Sequence, residues 1–166
     1  MHMTLFRVSL LAAILLCLPV STEAALLYLE PNDGTHGYGD TFIVNVRIDN
    51  QEECINAVKA EVSFPADRLR AVDFSRGGSI LSLWVEEPML DNDNGTVTFA
   101  GGVPGGYCGR IRGDPAQSNI LGKIVFTVTN KDVQSADIGN TIASRVYLND
   151  GAGTRADSET SGASLT

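Results

Sequence analysis

Residues 41–49, TFIVNVRID, place Phe42, Val44, Val46 and Ile48 at every second position, with Asn45 and Arg47 between them. Successive strand side chains point to opposite faces, so this run reads as a strand with one buried face. The same period recurs in INAVKAEVSF (55–64), where Val58, Ala60, Val62 and Phe64 share one face and Lys59, Glu61 and Ser63 the other. It recurs again in TVTFAGG (96–102), with Val97 and Phe99 inside, and in NILGKIVFTVTN (119–130), with Ile124, Phe126 and Val128 inside. Shorter strand-like runs fill the gaps: ALLYLEP (25–31), LRAVDF (69–74), LWVEEPML (83–90) and TIASRVYLND (141–150). Pro88 fits the third of these to an edge position. Turn chemistry separates the runs: NDGTHGYGD (32–40), Pro65, the Asn94-Gly95 hairpin signal, and a Gly-rich stretch from 101 to 119. Beyond residue 24, no segment sustains a helical period over a dozen residues. The expectation is an all-β jelly-roll sandwich of about eight or nine strands.

The two ends fall outside that pattern. Residues 1–24 read as a secretory signal peptide. Arg7 precedes the apolar run VSLLAAILLCLPV (8–20), and Thr22 and Ala24 suit cleavage after Ala24. A membrane-spanning helix needs about 20 apolar residues, more than this run offers. Residues 151–166, GAGTRADSETSGASLT, carry little apolar content and read as a flexible tail or linker. The domain is expected over residues 25–150, and the chain as a secreted or cell-surface product.

Secretion sets the meaning of the cysteines. Removing 24 residues takes Cys17 away and leaves 142 residues with Cys54 and Cys108. In an oxidising compartment such a pair forms a disulfide, with a two-thiol metal site as the weaker alternative. The net charge of −8 disfavours nucleic acid and anionic membrane as partners. A membrane link would run through an anchor outside this chain.

No catalytic constellation emerges, and none of the residue patterns calls for a cofactor or a metal. His36 sits in a Gly-rich turn, where a solvated residue is the plainer reading. Glu86 and Glu87 are adjacent on a strand and point to opposite faces. Asp91 and Asp93 sit in DNDNGT, which lacks the glycine position and distal glutamate of a calcium loop. Asn149 and Asp150 read as a turn that could contribute to a weak cation site. Asn94-Gly95-Thr96 matches a glycosylation sequon on an accessible turn. Arg112-Gly113-Asp114 matches a tripeptide of integrin ligands. Here the plainer reading is a loop that Cys108 ties to the turn ending at Cys54.

The order of the segments resembles the cohesin domain, a secreted jelly-roll module related to the family 2 and 3 carbohydrate-binding modules. The resemblance rests on GDTFIVNVRIDN (39–50), INAVKAEVSFPADRLRAVDF (55–74), GTVTFAGGVPGG (95–106) and GKIVFTVT (122–129). The corner Phe64-Pro65-Ala66-Asp67 departs from the family's aromatic-Asp-Pro order. The resemblance implies a non-catalytic role: holding the dockerin module of a polysaccharide-degrading enzyme, with the calcium carried by the dockerin. It implies one recognition sheet built from 55–64, 84–90, 95–100 and 120–129, with Lys59, Glu61, Ser63, Thr96, Thr98, Lys123, Val125 and Thr127 outward. Two alternatives stand beside it. A carbohydrate-binding module would use Trp84 and Tyr107 to stack on sugar rings. A structural or adhesive surface domain would have no fixed partner. The resemblance also fits a fragment of a longer, anchored protein.

Overall fold

The structure, a computed structural model, describes residues 25–51, 53–109, 118–131, 135–141 and 143–166. The proposed signal peptide and the Arg112-Gly113-Asp114 tripeptide lie outside the described residues. Two sheets pack face to face. The smaller contains β1 (Ala25–Glu30), β3 (Thr41–Asp49), β5 (Leu69–Ser75), β8 (Ile120–Val128) and β11 (Ser158–Thr160), in the order β11-β1-β3-β8-β5. The larger contains β2 (Asp33–Gly34), β4 (Ile55–Ser63), β6 (Leu83–Asp91), β7 (Thr96–Tyr107), β9 (Ala136–Asn140), β10 (Arg145–Leu148) and β12 (Ala163–Leu165). Its path is β2-β12-β9-β4-β7-β6, with β10 also paired to β4.

The core is the set that alternation marks. Val44 and Val46 face Val58, Ala60, Val62, Val97 and Phe99 across the sandwich, and Ile124 and Phe126 complete it, all buried. Burying each large apolar side chain contributes about 1.5–3 kcal/mol, which makes this inter-sheet layer the dominant stabilising term. Phe126 takes Phe64 edge-on at 5.1 Å and Phe42 at 5.8 Å, tying the corner after β4 to the smaller sheet. Gly122 is where the ring of Phe74 passes: a Cβ there would sit 2.2 Å from Phe74 Cζ.

Three expectations need correction. The described residues hold twelve strands, because the short strands β2, β9, β11 and β12 add to the other eight. Residues 151–166 are no flexible tail. β11 runs parallel to β1, and β12 runs antiparallel to β9 and parallel to β2. Main-chain bonds carry this closure, including Ala25 N–H to Asp157 O and Ser161 N–H to Leu27 O, while Ala156 and Ala163 are buried in the core. The Asn94-Gly95 turn is longer than two residues. β6 and β7 last pair at Asp91–Thr96, leaving a four-residue loop, 92–95. Its geometry comes from Asp91, whose Oδ1 accepts the N–H groups of Asp93 and Asn94 while Oδ2 accepts Asn94 Nδ2. Gly95 takes φ +66°, and its carbonyl receives the Phe64 N–H at 2.8 Å.

Cys54 and Cys108 are bonded to each other. They flank Ile55 and Tyr107, which pair across β4 and β7, so the bond closes the end of that ladder.

Candidate functional site

The outer face of the larger sheet is ordered by strand register into rows. One row runs Tyr147, Ala57, Gly102, Leu83 across β10, β4, β7 and β6. The next runs Arg145, Lys59, Ala100, Glu86. Beyond these, Glu61 pairs Thr98 and then Met89, and Ser63 pairs Thr96 and then Asp91.

The two middle strands present mostly small groups, and the flanking strands present larger ones. Leu83 and Met89 are more than half exposed on the β6 side. From β10 to β6 is three strand spacings, about 14 Å. A helix with its side chains is about 10–12 Å across. The face is therefore a strip of about helix width, here called the trough, with the small residues Ala57, Ala100 and Gly102 along its middle, Ala100 and Gly102 buried beneath their neighbours. Lys59 Nζ donates to both oxygens of Glu86 at 2.9 Å, an ion pair spanning β7 at Ala100. Thr141 Oγ1 donates to Glu61 Oε1 at 2.8 Å, fixing the carboxylate beside the trough.

The expected single face is split. Lys59, Glu61, Ser63, Thr96 and Thr98 lie on this trough face. Lys123, Val125 and Thr127 do not. Their strand, β8, pairs with β3 and β5 in the smaller sheet, so these three lie on the opposite outer surface. There Val125 has Ile43 and Asp73 as register partners, and Ile43 is 52% exposed.

Trp84 and Tyr107 are not surface platforms either. Trp84 packs inward, edge-on to Phe74 at 5.9 Å and 6.0 Å from Phe99, and the Arg76 guanidinium caps it at 4.4 Å. Tyr107 is 9% exposed and belongs to the core. The cause at Trp84 is a register shift between Trp84 and Glu86, which lets Trp84 face in while Glu86 faces out.

The carboxylates singled out earlier are engaged in local structure. Glu87 pairs with Arg76, away from the trough pair of Glu86. Hydrogen bonds from the Asn94 side chain, then from the Asn94 and Asp93 N–H groups, hold the Asp91 carboxyl below the usual carboxylate range. Asp150 is lowered in the same way by the Thr154 side chain and the Ala152 N–H. Among the described residues, no three His, Cys, Asp or Glu side chains converge to hold a metal ion. His36 is not a bare solvated side chain: its ring stacks on Phe42 at 4.1 Å.

The residues missed in the sequence are the trough's floor and rims: Ala57, Ala100, Gly102, Leu83, Met89 and Tyr147. Small residues at outward positions of two alternating strands were a usable signal for the floor.

No protein-family model matches the sequence, and no curated protein matches it. Solved structures do match. The sixth cohesin of Acetivibrio cellulolyticus scaffoldin B, solved in complex with a dockerin, aligns with a TM-score of 0.66 at 10% identity, over 87% of this chain and 99% of that one. The cohesin module of a Clostridium perfringens family 33 glycoside hydrolase aligns at 0.63 and 12% identity, over 87% and 97%. A non-cellulosomal cohesin from the archaeon Archaeoglobus fulgidus aligns at 0.62 and 14% identity, over 87% and 92%. An all-β sandwich with two sheets in this order, superimposing on nearly the whole length of these modules, has the cohesin fold.

Proposed function

We propose that this protein is a secreted, non-catalytic binding module that holds a helical protein partner of dockerin type on the outer face of its larger sheet. The observation that carries the reading is the trough: a floor of Ala57, Ala100 and Gly102 between rims of about helix spacing. Several proteins of the same fold were solved with a dockerin bound. Apolar anchors at Leu83 and Met89 and the polar groups Lys59, Glu61, Thr96, Thr98 and Arg145 supply the mixed surface such an interface uses. Lys123, Val125 and Thr127, on the opposite surface, are not part of this face. The signal-peptide-like sequence of residues 1–24 and the disulfide in the domain both support an extracellular location. Through a partner that carries a hydrolase, the module would serve polysaccharide breakdown.

The test is binding of the mature chain to a panel of purified dockerin modules by biolayer interferometry. Ala100→Arg places a long cation on the trough floor and is expected to weaken the complex by a factor of about 100 or more. Lys59→Glu removes the cross-strand ion pair and sets a second carboxylate beside Glu86, and is expected to weaken it about tenfold. Undiminished affinity in Ala100→Arg would exclude this face as the docking surface. The carbohydrate-binding alternative is less well supported on this sheet, since Tyr107 is buried and Trp84 is half-buried against the core.

A further inference from the structure

The Lys59–Glu86 ion pair closes over the middle of the trough. Both residues are register partners of Ala100, Lys59 from β4 and Glu86 from β6. Their side chains meet across β7, over two strand spacings or about 10 Å. Lys59 Nζ reaches both Glu86 oxygens at 2.9 Å, and Ala100 below them is only 9% exposed. A methyl group at position 100 leaves room for this bridge, where a longer side chain would stand in its path.

The bridge is held loosely. Its two side chains are 40% and 47% exposed, and exposed pairs of this kind add little to stability. Glu61, one step along β4, is held more firmly. Its carboxylate accepts Thr141 Oγ1, and its main-chain N–H and carbonyl both bond to the buried Ser144 hydroxyl. The two ends of the bridge also differ from each other. Glu86 stands on β6, the last strand of its sheet, where its side chain can swing over the open edge into water. Lys59 stands on an inner strand between β7 and β10, with Arg145 as its register partner on β10. When the bridge opens, the charge that stays in the trough is positive.

We propose that the Lys59–Glu86 pair is a strap that selects the trough's partner: the docking helix presents a carboxylate over Ala100, and that carboxylate takes Lys59 from Glu86. This rests on the docking reading above. A helix seated on Ala100 passes through the space the bridge occupies, so the bridge gives way. Covering the pair intact would take two charges out of water, a cost that can exceed their mutual attraction. A helix without the carboxylate would leave Lys59 covered and unpaired, and one with a cation there would face Lys59 and Arg145 together. The strap thus discriminates against unsuited helices as well as favouring the suited one.

Two measurements on the full mature chain test this. The first needs no partner: relaxation of the Ala100 methyl NMR signal by a neutral, soluble nitroxide. Glu86→Gln keeps the side-chain size and removes the attraction, and should raise that relaxation about twofold. The second is biolayer interferometry against the panel of purified dockerin modules. For the tightest binder, Glu86→Gln should strengthen the complex about threefold, because the strap no longer competes. Lys59→Met should weaken it at least about tenfold, because the partner's carboxylate loses its cation. Glu86→Gln added to Lys59→Met should then change nothing further. Lys123→Met, the same charge change on the opposite surface, should leave the affinity as it is. Changing the carboxylates on the dockerin's docking helix to amides, one at a time, should abolish the Lys59→Met effect at one position. A merely structural ion pair would move both single variants in the same direction, and that result would overturn the proposal. So would unchanged Ala100 relaxation in Glu86→Gln, or a complex that Glu86→Gln leaves as it is. Absence of binding by every dockerin, to wild type and Glu86→Gln alike, would overturn the docking reading and the strap's selective role with it.

Discussion

Removing the Cys54–Cys108 bond should lower stability by an amount set by the loop it closes. The bonded residues are 54 apart in sequence, so the closed loop includes β4, β5, β6 and β7 and elements of both sheets. On the chain-entropy account, a cross-link of that span restricts the unfolded chain by about 4 kcal/mol. Unfolding entropy near the midpoint is about 2.1 cal/mol/K per residue, or about 0.3 kcal/mol/K over the 142 residues that follow Ala24. The midpoint should then fall by about 14 °C. The assay is urea and thermal unfolding of the oxidised protein, the protein in a phosphine reductant, and the double variant Cys54→Ser, Cys108→Ser, each followed by the single tryptophan, Trp84. Reduced and double-variant proteins should agree, because each removes the same constraint. Two titratable thiols in the native oxidised protein would refute the bond. A loss under about 1 kcal/mol with the bond confirmed would refute the loop argument, by showing that the β4–β7 ladder already restricts the unfolded chain.

Other perturbations test the packing and the local electrostatics. Gly122→Ala should cost about 1–3 kcal/mol in urea unfolding, because its Cβ would meet the Phe74 ring at 2.2 Å. Gly139→Ala, where nothing lies within 4 Å, should be close to neutral by the same measurement. Deleting residues 158–166 removes β11 and β12 with buried Ala163, and should cost at least about 2 kcal/mol; a flexible tail would cost nothing. Asp91 and Asp150 have folded pKa values below 3.8, so their stabilisation is complete above that value and is lost as pH falls through the folded pKa. The midpoint should therefore drop below about pH 4, and Asp91→Asn with Asp150→Asn should flatten that acid limb.

How much of this was readable beforehand divides along one physical line. Alternation reports which side chains face the core, and it located β3, β4, β7 and β8 and their buried residues. It says nothing about which sheet a strand joins. The family resemblance puts Lys123, Val125 and Thr127 on one sheet with Lys59, and the alternation of β8 holds nothing to correct it, although β8 sits between β3 and β5. Alternation also fails where a strand bulges. β6 shifts register between Trp84 and Glu86 and again between Glu86 and Met89, which turns Trp84 inward and leaves Met89 on the trough rim. The C-terminal strands were illegible for a third reason. Their closure rests on main-chain hydrogen bonds and two buried alanines, and neither leaves a hydrophobic pattern.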